Sequence, residues 1–485
     1  MNQLSKIFAL LAVKLIILLL ALNSNTLQAQ RRSTSVNINH KGKTTISIKN
    51  GFGNNFSIEY KGDITLSDDD TDVTAISKGG YMEIKKSAFG NRRRIYMEPD
   101  NSGRLIKKYY VGSSQRSFDS EGKKWLSEIL LEVVRSTTLG AEKRVDRMYK
   151  SGGTYKVLKE VEKITSNHVR ARYIKLLLEK DLGEKDLNSV LEEVADIDSD
   201  HHRADILKKN TGAFLKYDSS TSAYIEAAGS IDSDHHKADV LKTSIRNGNI
   251  SDTQMKALFV IADDIDSDHH KASVLKEVLD QRRLTQNNLK LLISTSKSIS
   301  SDHHKASVLK KALQTDDLSQ SVHNSLLASV ENMDSDHHIA SVFSTQVSKK
   351  MDSESLSNLL RLVKDNMTSD NHQATVLKKI AFKQELKGTG FSSYLSAAKD
   401  IDSDHHKADV FKTLSRKDFD SNMLIKILDA ITSIDSDYHK AESLLSFANT
   451  VKNQNSEVKD AYTEACKDID SESHFGRALK AIHQQ

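Results

Sequence analysis

A single cysteine, Cys466, in 485 residues excludes an internal disulfide framework and any cysteine-rich zinc or iron–sulfur centre. Proline also occurs once, at Pro99, which argues against a proline-rich linker and suits long helical stretches. Neither charge sign dominates. The 70 basic residues stand against 66 acidic ones, so charge alone does not make the chain a nucleic-acid binder. Long apolar runs are confined to the N-terminus, and the rest is expected to be soluble. Catalytic signatures are missing as well. There is no His-Glu-x-x-His, no Gly-x-Ser-x-Gly, no glycine-rich phosphate loop with Lys-Ser/Thr and no Rossmann fingerprint. Cys466 falls in a helical pattern with Tyr462, Ala465 and Ile469 and reads as core rather than nucleophile. The expectation is a protein that is not an enzyme, with an undetected hydrolase as the remote alternative.

Residues 1–29 read as a secretory signal peptide. Lys6 and Lys14 precede the apolar run 15–22, and Leu27-Gln28-Ala29 has a small-residue cleavage pattern. The run is short for a membrane span, which needs about 20 residues. Extending it over residues 7–13 would put Lys14 in mid-bilayer, so a retained anchor is the lesser alternative. No cysteine follows the cleavage region, so no lipoprotein anchor is expected. The expected location is extracytoplasmic, periplasmic or secreted, with no stable membrane span after cleavage.

Residues 34–112 alternate with period 2 in short runs, among them Ile46/Ile48, Phe56/Ile58/Tyr60, Ile64/Leu66, Tyr81 to Ile84, Ile95/Met97 and Leu105 to Val111. Glycine turns separate them at Gly42, Gly51, Gly62, Gly79-Gly80, Gly90 and Gly103, which predicts a small antiparallel meander. Its last strands carry Arg92-Arg93-Arg94 and Lys107-Lys108. These could dock an acidic partner, although charged outward faces protecting strand edges are the plainer reading. Asp68-Asp69-Asp70-Thr71-Asp72 resembles the start of a calcium loop. Val73 stands where that loop needs glycine and Gly79 where it needs glutamate, so an acidic turn is expected rather than a cation site. A helical connector over 113–163 follows, with Trp125, Leu126, Ile129, Leu130 and Val133 at helical spacing.

From 164 to 485 one phrase dominates. It begins at Ile164, Ile197, Ile231, Ile265, Ile299, Met333, Met367, Ile401, Ile434 and Ile469, in steps of 33 to 35 residues. A typical copy is Ile265-Asp266-Ser267-Asp268-His269-His270-Lys271-Ala272-Ser273-Val274-Leu275-Lys276. A fixed period of this size predicts a stacked array of helix pairs. Helix A starts at the phrase, with Ser267 as N-cap and Asp268 in the first turn, where its charge suits the helix dipole. Ala272, Val274, Leu275, Val278 and Leu279 form its buried stripe. A break such as Asn247-Gly248-Asn249 ends it. Helix B starts at a second cap, for example Ser251 with Gln254 three residues on, and buries Met255, Leu258, Phe259, Ala262 and Ile265. Neither helix buries its stripe alone, so the fold class is mainly α: a helical-hairpin solenoid of about ten 34-residue repeats, preceded by a small antiparallel β module. The period matches tetratricopeptide repeats, but the array lacks that family's tryptophan and proline.

The phrase supplies 16 of the 19 histidines. The second histidine lies four residues before a core position (His270 before Val274), on the flank of the stripe, and is assigned an inter-repeat hydrogen bond or helix-start contact. The first histidine (His201, His235, His269, His303, His337 and His405) is more solvent-facing and marks an exposed binding edge. Three of these have aspartate four residues on: His201/Asp205, His235/Asp239 and His405/Asp409. Each pair could be half of a zinc, copper or nickel site; no other cofactor is expected. Adjacent residues on a helix point about 100° apart, so one His-His pair cannot chelate a metal as a unit. Imidazoles titrate near pH 6.5, so the ladder is also expected to respond to pH.

Four stretches carry a family resemblance: Gly79-Gly80-Tyr81-Met82-Glu83-Ile84, Arg93-Arg94-Ile95, Ser102-Gly103-Arg104-Leu105-Ile106-Lys107-Lys108-Tyr109-Tyr110-Val111, and Phe118-Asp119-Ser120-Glu121-Gly122-Lys123-Lys124-Trp125-Leu126. With the Ser-Asp-x-x-Lys-Ala-x-Val-Leu repeats, they resemble uncharacterised bacterial envelope proteins. They are also similar to extracytoplasmic regions found with some BlaR-type membrane peptidases of the M56 class. The peptidase zinc motif and membrane helices are missing here, so no catalytic residue carries over. The resemblance implies a sensor or partner-binding role at the envelope. The expected function is a non-enzymatic interaction module that binds a protein, peptide or envelope component. The alternative is a histidine ladder that binds divalent metal or responds to pH.

Overall fold

The computed structural model describes residues 33–38, 43–50, 54–88, 90–247, 250–281, 284–316 and 318–483. The expected signal segment and the breaks at Gly42, Gly51 and Gly248 lie outside the described residues. By compactness the chain divides into two units, residues 1–206 and 207–485. Among the described residues no helix is long and apolar enough to cross a membrane.

Period-2 alternation in the first unit produces nine strands: β1 (Ser33–Ile38), β2 (Lys43–Asn50), β3 (Asn54–Lys61), β4 (Ile64–Leu66), β5 (Val73–Ile76), β6 (Tyr81–Ala88), β7 (Asn91–Pro99), β8 (Leu105–Val111) and β9 (Ser114–Arg116). Seven form one sheet in the order β1-β2-β3-β6-β7-β8-β9, all neighbours antiparallel. The registers align Ile46, Ile58, Ile84, Ile95 and Tyr109 in one row across the sheet. All five are buried, and each aliphatic member contributes roughly 1.5–3 kcal/mol. The meander is interrupted, because β4 and β5 leave the main sheet as a separate hairpin. Ile64 and Leu66, expected in the meander, pair instead with β5, a strand of four residues that follows directly on the acidic turn.

The expected connector does two different jobs. Helix α1 (Lys123–Ser136) closes the core of the sheet with Trp125, Leu126, Ile129, Leu130 and Val133. Helix α2 (Ala141–Val161) packs against α3 (Asn167–Leu178) and α4 (Glu184–Ala195), the first helices of the array. A kink at Gly152-Gly153 divides α2, and Gly153 takes φ 63°, a conformation that favours glycine.

The second unit is the helical-hairpin array. Its A helices include Asp234–Asn247, Asp268–Gln281, Asp302–Leu313, Asp336–Gln346, Asp370–Lys383, Asp404–Leu414, Asp437–Lys452 and Glu472–His483. Each A helix packs on the next. Six of the seven B helices between them start at side-chain caps, the exception being Gly388–Lys399, which follows Lys387 without one. Ser251 and Gln254 form a reciprocal capping box, and Thr285, Ser319, Asp352, Asp420 and Asn455 each accept a backbone N–H from three residues on. The predicted stripes are buried. One hydrophobic cluster extends from Leu289 to Ala478 and takes in the phrase-opening residues Met333, Met367, Ile401, Ile434 and Ile469, while Ile231, Ile265 and Ile299 are fully buried as well.

Candidate functional site

The A helices begin differently from the B helices, and the reason defines the phrase. The serine expected as N-cap makes no side-chain cap bond at Ser301, Ser335, Ser369 or Ser403. At Ser436 it does, accepting from His439 N at 3.5 Å. The work is done instead by the second aspartate of the preceding phrase. Asp234 accepts from the backbone N–H of Asp266 (3.3 Å) and Ser267 (2.7 Å). Asp268 does the same for Ser300 and Ser301, and Asp302 for Asp334 and Ser335. Asp336, Asp370, Asp404 and Asp437 continue the series. Each carboxylate keeps its place in the first turn of its own helix and also staples the next helix start. Hydrogen bonds to a charged group are the stronger kind, about 1.5–3 kcal/mol each.

The lysine after the second histidine is a functional position that sequence reasoning missed. Lys237, Lys271, Lys305, Lys407 and Lys440 are all at most 7% exposed, so their ammonium groups need partners. They find them at the end of the following B helix. Lys237 donates to the Asp264 carboxylate (2.6 Å), Lys271 to Ser298 Oγ (2.9 Å), Lys305 to Asn332 O (3.2 Å), Lys407 to Ser433 O (3.0 Å) and Lys440 to Asp468 O (2.7 Å). A cation there also suits the negative end of the helix dipole. A signal was present: Lys271 lies three and four residues before Val274 and Leu275, a core position by periodicity.

The histidines form the exposed edge. His201, His235, His269, His303, His337 and His405 are all exposed, and the second histidine of each pair is half-buried. The first ring of one phrase meets the second ring of the next: His235–His270 at 5.4 Å between centroids, His269–His304 and His303–His338 at 5.5 Å, and His337–His372 at 5.7 Å. Rings within a phrase are 5.1–5.3 Å apart. The result is an unbroken zigzag of imidazoles from His236 to His372. Asn371 interrupts it, and a second run joins His406, His405, His439, Tyr438 and His474. In the first unit His168 meets His202, which meets His201. For the second histidine, expected to make an inter-repeat hydrogen bond or helix-start contact, the inter-repeat neighbour is an imidazole ring.

Burial holds the His304 imidazole below its ordinary 6.5; neighbouring His303 and His269 lower it further, with Lys276 adding to them and Asp268 opposing. His338 is lowered in the same way by burial, then His337, His303 and Lys310, against Asp302.

The aspartates of the three expected half-sites for metal each have a lysine beside them. Asp205 pairs with Lys175, and Asp409 lies 3.9 Å from Lys378. Asp239 pairs with Lys242 (3.2 Å) and Lys208 (3.4 Å), while His235 Nε2 stands 3.9 Å away. Among the described residues no group of three or more His, Cys, Asp or Glu side chains is gathered to hold a metal ion.

The acidic turn is drawn into ion pairs. Asp70, at φ 57° and buried, accepts from Arg144 Nε (2.8 Å) and Arg147 (2.7 Å), and Asp72 accepts from Lys107 (2.5 Å). Ser67 and Thr71 hydroxyls hold the Asp69 carboxyl down to about 2. Arg144 further donates to Glu160 (3.0 Å) and Tyr173 OH, and Arg135 grips Glu160 with two nitrogens. In the basic strands Arg94 lies 4.0 Å from the Tyr110 ring and pairs with Glu83, Lys108 reaches Glu98, and Arg92 and Arg93 remain exposed. Burial pushes the Cys466 thiol up to about 12, consistent with a core residue.

The fold defines a helical-repeat protein with an antiparallel sheet ahead of the repeats in the chain. No family model and no curated protein matches the sequence. Among solved structures, a chain described as "Computational Design of Self-Assembling Cyclic Protein Homooligomers" is 13% identical, covering 71% of this chain and 97% of its own, with a TM-score of 0.10. A likeness at that score carries no argument.

Proposed function

We propose that the chain is a non-enzymatic, extracytoplasmic interaction scaffold whose phrase edge binds a protein or peptide partner. One observation carries the reading: a division of labour inside each phrase. The apolar residues, the second aspartate and the lysine are engaged in packing and inter-repeat bonds. The first histidine stays exposed at His235, His269, His303, His337 and His405, and the exposed residue three before it is aspartate at Asp232, Asp266, Asp334 and Asp402 and serine at Ser300; the copy between, Thr368/Asn371, carries neither. A row of like groups at a regular step suits a partner that lies along several repeats. The signal-like N-terminus supports a place outside the cytoplasm, as does the envelope resemblance. The test is a pull-down from the envelope fraction with the mature chain and with a His269→Asn/His303→Asn/His337→Asn variant. A partner kept by the first and lost by the second, at equal helicity, supports the reading. Equal capture by both overturns it.

A second reading, a ladder that responds to protons, is favoured by the continuous ring-to-ring contact. Scattering and circular dichroism at about pH 7.5 and 5.5, either side of the imidazole range, test it. Identical curves and melting temperatures discard it.

A further inference from the structure

The corner between β4 and the start of α2 holds a cleft of about 530 Å³, within the roughly 300–1,000 Å³ usual for ligand pockets. Its two walls differ in chemistry. Ile64, Thr65 and Leu66 form a half-buried, largely apolar side. Lys143, Arg147 and Lys150 form the other, at i, i+4 and i+7 on one face of α2.

The cations are unevenly used. Arg144, at the back, is satisfied by Asp70, Glu160 and Tyr173. Arg147 donates to Asp70 and stands 3.8 Å from Asp68. Lys143 and Lys150 are exposed, and neither has an anionic partner among the described residues. Two carboxylates also line the cleft. Asp146 is bonded to Lys180 at 2.5 Å, and Asp68 is fully exposed. The lining therefore keeps an excess of positive charge. Helix α2 adds to it, because it begins here at Gly140 without a side-chain cap, and an uncapped first turn favours an anion. Gly140 has φ 69°, and a Cβ there would come within 3.2 Å of Leu66. Glycine at this position keeps the helix start against the apolar wall.

We propose that this cleft binds a phosphate monoester carrying a small apolar group, with the phosphate between Lys143, Arg147 and Lys150 and the apolar part against Ile64 and Leu66. Two lysines, an arginine and a helix start suit a dianion better than a single carboxylate. The proposal is independent of the phrase edge, so either can fail without the other.

Calorimetric titration of the mature chain with inorganic phosphate and with hexyl phosphate, at low ionic strength, tests it. Saturable binding to one site is expected, tighter for hexyl phosphate. Lys143→Ala/Lys150→Ala is expected to weaken both by about tenfold or more with an unchanged melting temperature. Arg92→Ala/Arg93→Ala, on the exposed strand, is expected to leave both unchanged. No saturable heat with either probe overturns the proposal, and so does an affinity indifferent to the lysine pair or equally lost in the arginine pair. Co-sedimentation with phosphatidylcholine vesicles, with and without phosphatidic acid, identifies the source. Lysine-dependent capture by phosphatidic acid assigns a lipid headgroup, and hexyl phosphate binding without capture assigns a soluble ester.

Discussion

The two units secure their polar interiors in opposite ways. In the first, residues distant in sequence converge once: Asp70, Arg135, Arg144, Glu160 and Tyr173 make one buried ion cluster. In the second, the same small contacts recur, an aspartate on the next helix start and a lysine on the end of the following B helix. The cluster concentrates its contribution in one guanidinium, and burial alone would pull that group's pKa down. Tyr173, Asp70 and Glu160 more than offset the burial and raise it. The repeats distribute theirs, so the loss of one copy is felt by its neighbours alone.

Arg144→Met breaks this contrast most directly. It leaves two buried carboxylates short of a partner, at a cost of about 3–5 kcal/mol. The sole tryptophan, Trp125, sits in the core of the sheet and reports on this unit by fluorescence in urea. A transition moved by less than about 1 kcal/mol would show that the cluster is not structural. Asp302→Ala comes next, at about 2 kcal/mol, because, of the two bonds lost, the exposed one from Asp334 N–H is replaced by water and the part-buried one from Ser335 N–H is the costly loss. Hydrogen exchange should accelerate over residues 334–346 while the Trp125 transition stays in place; acceleration spread evenly over the array would contradict nearest-neighbour coupling.

Acid should act on the repeats through His304 and His338. Their folded pKa lies below 6.5, so above that pH folded and unfolded forms are both neutral and nothing is lost. As pH falls through 6.5 the unfolded chain takes up protons first, and stability drops until the folded pKa is passed. Melting curves between about pH 7.5 and 5 should show this decline, and His304→Asn/His338→Asn should flatten it.

Lys305→Ile should change stability by about 1 kcal/mol or less, because an apolar residue can replace a buried charge. Ile339 already occupies the equivalent position, fully buried. Smallest of all, His269→Asn at the exposed edge should stay within about 0.5 kcal/mol by calorimetry, while the pull-down tests its binding role.

Much of this architecture is legible in the amino-acid sequence. Period 34 with two caps per period implies helix pairs, and the buried stripe around Val274 and Leu275 follows from helical spacing. The exposure of the first histidine and the flanking place of the second were legible for the same reason: local geometry decides which way a helical residue points. What each polar residue touches was not. Ser301 looks like an N-cap, yet the neighbouring repeat's Asp268 bonds its backbone. Lys271 looks like a surface charge, yet it is buried against Ser298. The His/Asp spacing was legible, but not that lysines of the preceding repeat reach Asp205 and Asp239.

The sequence by itself determined the elements, their repetition and their buried faces, because hydrophobic period and turn chemistry act over a few residues. The tertiary structure alone decided the staples, the imidazole zigzag, the Arg144 cluster and the cleft beside Gly140. The staples and the Arg144 cluster join residues 16 to 74 positions apart, and which polar groups then meet depends on how packed helices and strands are set against one another.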